Sequence, residues 1–402
     1  MWKPIVTDGN ALSAIHQKLE QIYKAVTRFE MNEKYGLLTG YGSILLFLSQ
    51  YYQYTKDPRQ LDEFNQKFDS FYKSFYKDIT ASFSSGIAGV NWLIRHLCKT
   101  NILEVDDVDD ILQDLDDISC QTLAYYAQTE NFDYLHGGIG VAYYLSTVQT
   151  RDFTSQIKSY FQQLDCSKKS TSEKNACWLI NTYVNSTSIG SVYNLSLSHG
   201  MAAFIPCFIK YLKKMDDASI KELLIKTINF FKDSVLPEES ASYFPKWIEI
   251  GASKGLVSHL SWCYGDPGMA QAIYQAGKFL EDSEVQDMAL EALTKASKRK
   301  NVEVEHIVEA CFCHGSSSLL HVFNRMYQQT QKEEFRDTAL YWLNDTLAKG
   351  SNKTPYAGYR FFDDGNPNSN FNLLSGLSGV GLALLAAIDS TEPTWDECVL
   401  LS

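Results

Sequence analysis

A short phrase recurs seven times along this 402-residue chain: a glycine, two residues, then a second small residue that opens an apolar run. It reads Gly40-Tyr-Gly-Ser43, Gly86-Ile-Ala-Gly89, Gly137-Gly-Ile-Gly140, Gly200-Met-Ala-Ala203, Gly265-Asp-Pro-Gly268, Gly315-Ser-Ser-Ser318 and Gly376-Leu-Ser-Gly379. Successive first glycines are 46, 51, 63, 65, 50 and 61 residues apart. Each interval can hold two helices of ordinary length plus loops. Repetition at such a period marks an architecture of stacked units, none of which buries its apolar face alone.

The runs that follow the phrases, such as Val380-Gly-Leu-Ala-Leu-Leu-Ala-Ala-Ile388, are apolar nearly all round, as a helix buried on most sides should be. The segments between them are amphipathic. From Ser219 to Val235, the apolar residues Ile220, Leu223, Leu224, Ile228, Phe231 and Val235 recur at helical spacing, and Lys221, Glu222, Lys226, Lys232 and Asp233 fill the other face. Asp216 or Asp217 offers an N-cap upstream. Buried inner helices therefore alternate with outer ones, and strand signals are weak outside short stretches such as Ser242 to Glu249. The first and last copies are as apolar as the middle ones, which favours a closed ring over an open solenoid with polar end caps. The expected fold is all-α, an α/α toroid of seven helical hairpins. It forms one domain over residues 1–402, with Asp165 to Asn175 as a loop insertion. Glycine opening each inner helix is expected where converging helix ends leave no room for a Cβ.

Composition narrows the function classes. A formal net charge of -12 argues against broad nucleic-acid binding, which needs a basic face. The densest basic run, Lys295 to Lys300, reads as a solvated helix end, and the acidic run Asp106 to Asp117 as a wet helix face. Nine scattered cysteines without small-domain spacing point to a reducing compartment. The opening residues lack the apolar core of a signal peptide, and no apolar run approaches the ~18 to 20 residues of a membrane span. The expected location is the cytoplasm.

The repeat supplies a common register. Just before the first glycine stand Thr39, Ser85, His136, His199, Tyr264, His314 and Ser375; two before it stand Leu38, Ser84, Leu135, Ser198, Cys263, Cys313 and Leu374. In a toroid these positions share one end of the inner ring, so residues distant in sequence become neighbours. Cys263, Cys313 and His314 then supply two thiolates and one imidazole. That is the donor set of a catalytic zinc site with its fourth position open, and soft sulfur favours zinc over magnesium or calcium. A lone Cys-His pair is more often buried packing than a metal site; the shared offset of Cys263 and Cys313 tips the balance. Cys311 competes with Cys313 but falls outside the register, and His321 reads as packing or as a support to the site. His136 is open between lining the pocket and having no role, and His16, His96 and His306 are assigned none.

Trp262-Cys263-Tyr264-Gly265-Asp266-Pro267-Gly268, Cys313-His314-Gly315, Ser198-His199-Gly200 and the glycine phrases resemble the lanthionine synthetase C-like family, whose bacterial members are lanthipeptide cyclases. The resemblance runs through all seven repeats. It implies a seven-hairpin toroid with zinc on Cys263, Cys313 and His314, and site residues at Asp133, His199 and Tyr264. Bacterial cyclases carry an Arg shortly before Trp-Cys, whereas this chain reads Val257-Ser258-His259-Leu260-Ser261, so His259 becomes a candidate replacement. The resemblance further implies bacteriocin biosynthesis, with a dehydrated, Cys-containing precursor peptide as substrate. A separate dehydratase is the expected partner and an exporter a further candidate.

Thioether closure adds a Cys thiol across the double bond of dehydroalanine or dehydrobutyrine to give lanthionine or methyllanthionine. The thiol must first be deprotonated, and zinc lowers its pKa. His199 is then the expected acid for Cα. Asp133 orients it or takes the thiol proton, unless it merely caps a helix. Tyr264 hydrogen-bonds the reacting species, unless it merely packs. Zinc-dependent prenyltransferase subunits are also thiol-activating toroids, but they add a carboxylate ligand. Eukaryotic relatives that bind glutathione offer a non-catalytic alternative, a zinc and thiol binding protein. Trp-Cys-Tyr, in place of the Trp-Cys-His of those relatives, favours cyclisation.

Overall fold

The structure is a computed structural model that describes residues 2–31, 34–75, 80–184, 187–361 and 370–402. It is mostly helical and divides into two compact units, each assembled from separate stretches of chain. The first comprises residues 1–80, 84–112 and 300–399, the second residues 81–83, 113–299 and 400–402.

The first unit contains α1 (Gly9–Thr27), α2 (Gly42–Thr55), α3 (Pro58–Tyr72), α4 (Ile87–Lys99), α12 (Ser316–Thr330), α13 (Glu333–Lys349) and α14 (Leu377–Ile388), to number the helices in chain order. The helices that follow the glycine phrases pack side by side in the order α12, α14, α2, α4, so the end of the chain adjoins its beginning. Every residue of α14 is buried. Among the described residues no α-helix follows α14, and the amphipathic α1, which buries Ile15, Leu19, Ile22 and Val26, packs on it. The Ile5 N–H donates to the Ala387 carbonyl at 3.0 Å and the Trp2 indole to the Ala386 carbonyl at 3.0 Å, which fastens this closure. The last hairpin is thus completed by the N-terminus, which a reading of consecutive pairs does not anticipate.

The second unit contains α6 (Gly138–Thr147), α8 (Phe204–Leu212) and α10 (Asp266–Leu280), again side by side, with α7 (Thr154–Ser167), α9 (Ala218–Asp233) and α11 (Ser283–Ser297) packed on them in turn. The helix α5 (Asp109–Gln128) runs from one unit into the other. Asp217 caps α9, accepting from the N–H groups of Ser219 and Ile220, and Ile220, Leu223, Leu224, Ile228 and Phe231 are buried as their spacing requires. Val235 lies beyond the helix and is 38% exposed.

The helical expectation holds in the main, and four short strands add to it. A four-stranded antiparallel sheet, in the order β1 (Leu179–Val184), β2 (Thr187–Asn194), β3 (Pro245–Ile248), β4 (Leu256–Val257), is built from the connections after α7 and α9. Five of the eight residues of β2 are exposed and the strand is rich in Ser and Thr. It therefore lacks the alternation of apolar and polar residues that betrays a half-buried strand. In β3, which lies in the stretch Ser242 to Glu249, buried Pro245 and Trp247 alternate with half-buried neighbours, and in β1 Ile180 and Thr182 are buried while Asn181 and Tyr183 are exposed. The supposed loop insertion is partly regular too: Asp165 to Ser167 close α7, and Lys169 bridges Cys177 on the way to β1.

The basic run is also not uniformly solvated. Lys298 is exposed, but Arg299 turns inward, donating to the Ser258 carbonyl at 3.1 Å and pairing with buried Asp266 at 3.5 Å. In the acidic run Asp116 is buried and accepts the Tyr144 hydroxyl.

At Gly376 and Gly379, before and within α14, space for a Cβ is short, and the crowding comes first from the chain's own turn. A Cβ on Gly376 would lie 2.4 Å from the backbone of Asn370 and Phe371, and one on Gly379 2.0 Å from the Leu373 carbonyl oxygen. The turn doubles back under the helix it starts. Gly379→Ala is expected to cost about 1–3 kcal/mol through overpacking, read as a lower urea midpoint at an unchanged slope. A midpoint equal to the parent's would show that the turn yields freely.

Candidate functional site

In four of the turns that precede inner helices, a side chain four residues before the first glycine accepts the N–H of the residue just before it. Asp133 Oδ1 accepts from His136 at 2.8 Å, Ser196 from His199 at 3.2 Å, Ser261 from Tyr264 at 3.2 Å and Asn372 from Ser375 at 2.7 Å. An Asn two residues earlier supports two of these turns: Asn131 Oδ1 accepts from the Asp133 N–H at 3.3 Å and Asn194 Oδ1 from the Ser196 N–H at 3.0 Å. These are Asx turns, built from residues that hydrogen-bond their own backbone two positions on. They hold the residue before each glycine in a fixed pose at a helix N-terminus.

Neighbouring turns are joined at the register positions themselves. In the first unit, the N–H of Cys313 donates to the Leu374 carbonyl at 2.7 Å, that of Leu374 to Leu38 at 3.2 Å and that of Leu38 to Ser84 at 2.9 Å. All four residues stand two before a first glycine. In the second unit the Cys263 carbonyl accepts from Leu197 at 2.9 Å and from Ser198, which shares its offset, at 3.4 Å. Equal offset in sequence therefore becomes adjacency in space.

Asp133 uses its two oxygens for different purposes. Oδ1 caps its own turn, and Oδ2 lies 2.6 Å from His199 Nδ1. One carboxylate thus caps its own turn and meets an imidazole from another. The Nδ1 proton of His199 is directed at the carboxylate, which leaves Nε2 for whatever occupies the site. The Asp133 side chain is 16% exposed and that of His199 30%. Burial drives the Asp133 carboxyl upward, but the charge and hydrogen bond of His199, with help from His136, hold it below its ordinary range. Burial drives the His199 imidazole down, and Asp133, aided by the Cys263 thiol, more than reverses this and raises it. The ring of His136 stacks 5.7 Å from that of His199 yet shifts the other way, lowered by burial.

The Tyr264 ring stands 5.9 Å from His199 and meets Trp247 edge-on. Burial pushes its phenol up to about 12, against hydrogen bonds from Asn194 and Ser196. It is a neutral donor at neutral pH. Cys263, buried beside it, points its thiol at the Ser261 hydroxyl, 3.6 Å away. His136, His199, Asp133 and Tyr264 line one cleft of about 640 Å³. His259 is exposed and is not among the residues lining that cleft.

In the first unit, Cys313 and His314 precede α12, whose N-cap is Gly315. His314 is 51% exposed and its Nε2 lies 3.9 Å from a Glu309 carboxylate oxygen. Glu309, Cys311 and His314 each place a donor atom within 4.8 Å of the others, so Cys311 is a closer competitor than its register suggests. His321 is packing: wholly buried, it meets Asp396 at 2.8 Å in a cluster with Arg325. His96 is buried with its imidazole pushed down to about 4, and His16 bonds the Tyr54 hydroxyl.

Residues 32–400 match the family model described as lanthionine synthetase C-like protein. The chain belongs to that family. A solved structure described as nisin cyclase shares the fold with this lanthionine synthetase C-like protein, with a TM-score of 0.74 and 18% identity over 98% of both chains. A cellobiose 2-epimerase from Bacillus thermoamylovorans aligns at a TM-score of 0.48 with 10% identity, over 94% of this chain and 99% of its own. A sugar epimerase from a ruminal bacterium aligns at 0.45 with 11% identity, over 93% and 97%. A search of curated proteins returns no match.

Sequence reasoning missed Asn194, Ser196 and the strand β1, which forms one wall of the cleft. A signal for the first two was present: Asn131-Phe-Asp133, Asn194-Leu-Ser196 and Asn370-Phe-Asn372 recur at fixed distance before three glycines.

Proposed function

We propose that this protein is a lanthipeptide cyclase that adds Cys thiols of a dehydrated precursor peptide to dehydroalanine or dehydrobutyrine, forming lanthionine and methyllanthionine rings. The observation that carries the reading is the Asp133–His199 pair, 2.6 Å apart beside the neutral Tyr264 phenol, in a cleft of a lanthionine synthetase C-like protein.

Cys263, Cys313 and His314 would hold zinc. The donor chemistry fits: two sulfurs and one imidazole leave a fourth position for a substrate sulfur. Bound zinc would supply one thing, a lowered pKa for the incoming thiol. The remaining chemistry falls to side chains. The sulfur forms a bond to Cβ, the π electrons move toward the carbonyl, and the Tyr264 hydroxyl donates to the oxygen on which charge develops. His199, whose protonated form Asp133 favours, gives its Nε2 proton to Cα and recovers one from solvent, which received the thiol proton. The addition is balanced, with no change in mass. His136, lowered and therefore neutral, does not compete as acid. His259, exposed as it is, is left as a candidate contact for the peptide.

The same reading takes residues 1–402 as one toroidal domain, since each unit is assembled from three stretches of chain. It places the protein in the cytoplasm beside a separate dehydratase and an exporter. Among the described residues no helix is long and apolar enough to cross a membrane.

Incubation of zinc-loaded protein with its dehydrated precursor should consume free thiols at constant peptide mass. An unchanged thiol titration at full metal occupancy refutes the proposed activity.

A further inference from the structure

We infer that the open edge of β1 binds an extended stretch of the peptide substrate by strand addition and delivers it to the Asp133–His199 pair; the inference rests on the cyclase reading above. The sheet order makes β1 an edge strand, and among the described residues β2 is the partner strand of Leu179 to Tyr183. A cavity against the face of a strand touches every second residue, because successive side chains point to opposite faces. This cleft is lined by five consecutive residues, Leu179 to Tyr183, although Ile180 and Thr182 are buried while Asn181 and Tyr183 are exposed. A run without gaps means that the cleft follows the edge, where the backbone N–H and C=O groups not used by β2 point.

Proteins usually guard such an edge with charge, proline or a covering segment. Leu-Ile-Asn-Thr-Tyr carries no charge and no proline. The same cleft is also lined by Asp133, His136, His199 and Tyr264. A five-residue strand spans about 16 Å, so a chain paired along β1 lies beside the proton machinery over several residues. Main-chain pairing reads few side chains, which suits the presentation of a Cys and a dehydro residue in varied surroundings.

The test uses the whole protein and a synthetic ten-residue peptide bearing one Cys and one dehydroalanine, with a second peptide N-methylated at alternate backbone nitrogens. Fluorescence anisotropy gives binding, hydrogen–deuterium exchange gives protection of residues 179–183, and thiol titration gives turnover. The first peptide should slow exchange across 179–183. N-methylation should abolish that protection and weaken binding about tenfold, the loss expected for two or so hydrogen bonds. Equal binding of the two peptides, binding without protection of β1, or no binding at all would overturn strand addition, since backbone pairing needs no cognate side chain. Protection of β1 without thiol consumption would instead count against the cyclase reading and uphold the edge as a peptide site.

Discussion

His199→Ala is expected to lower kcat for ring closure by about 10²–10⁴-fold, the range for loss of a positioned acid, while bound zinc stays near the parent's level. Asp133 gives a sharper probe, because its two oxygens do different work. Asp133→Ser retains a cap of the kind that Ser196 and Ser261 provide in the neighbouring turns. It removes the carboxylate that raises His199. The fold should survive, and activity should fall as pH rises through the lowered His199 value.

The sign follows from the shifts. His199 acts as an acid, so the active form is lost as pH rises through its raised pKa. Without the Asp133 charge that pKa falls, and the alkaline limb of the kcat profile moves to lower pH. For stability, the raised His199 contributes fully below its unfolded value and loses that contribution as pH rises through the folded one. The lowered Asp133 contributes above its unfolded value and loses it as pH falls. Their mutual support is therefore complete between about pH 4 and 6.5, the ordinary values of the two groups. An Asp133→Ser profile with the parent's alkaline limb would remove His199 from the role of acid.

Cys313→Ala should reduce bound zinc from about one per chain to near none after dialysis, because structural stability of a three-ligand site does not survive loss of a thiolate. Cys263→Ala should do the same. Thiol consumption should fall to the uncatalysed rate in both. Cys311→Ala is the informative control: its thiol lies within 4.8 Å of donor atoms of Glu309 and His314. It should keep its zinc. Metal loss in Cys311→Ala with retention in Cys313→Ala would transfer the site to Glu309, Cys311 and His314, and the register argument would fall with it.

Much of the architecture is legible in the sequence because the repeat is a packing signal. Runs such as Val380 to Ile388 have no polar face to show water, so they must be covered on all sides, and α14 is. The offset from each glycine carried over as well, since backbone hydrogen bonds tie Cys313, Leu374, Leu38 and Ser84 turn to turn. The sheet was not legible, because β2 is mostly exposed and its residues have no periodic burial to report. Arg299 was misjudged for a related reason: a helix-end cation in a basic run gives no hint that a buried carboxylate, Asp266, awaits it.

The sequence by itself determined that helices of two kinds alternate, which residues begin the buried ones, and that Cys263, Cys313, His314, His199 and Tyr264 share positions in that pattern. Periodicity and turn chemistry are local, so they can be read along the chain. The tertiary structure alone decided that α1 covers α14, that β1 walls the cleft, and that the second oxygen of Asp133 reaches His199. Each of these joins residues 66 or more positions apart or places backbone against open space, and no local pattern encodes which distant partner a side chain will meet.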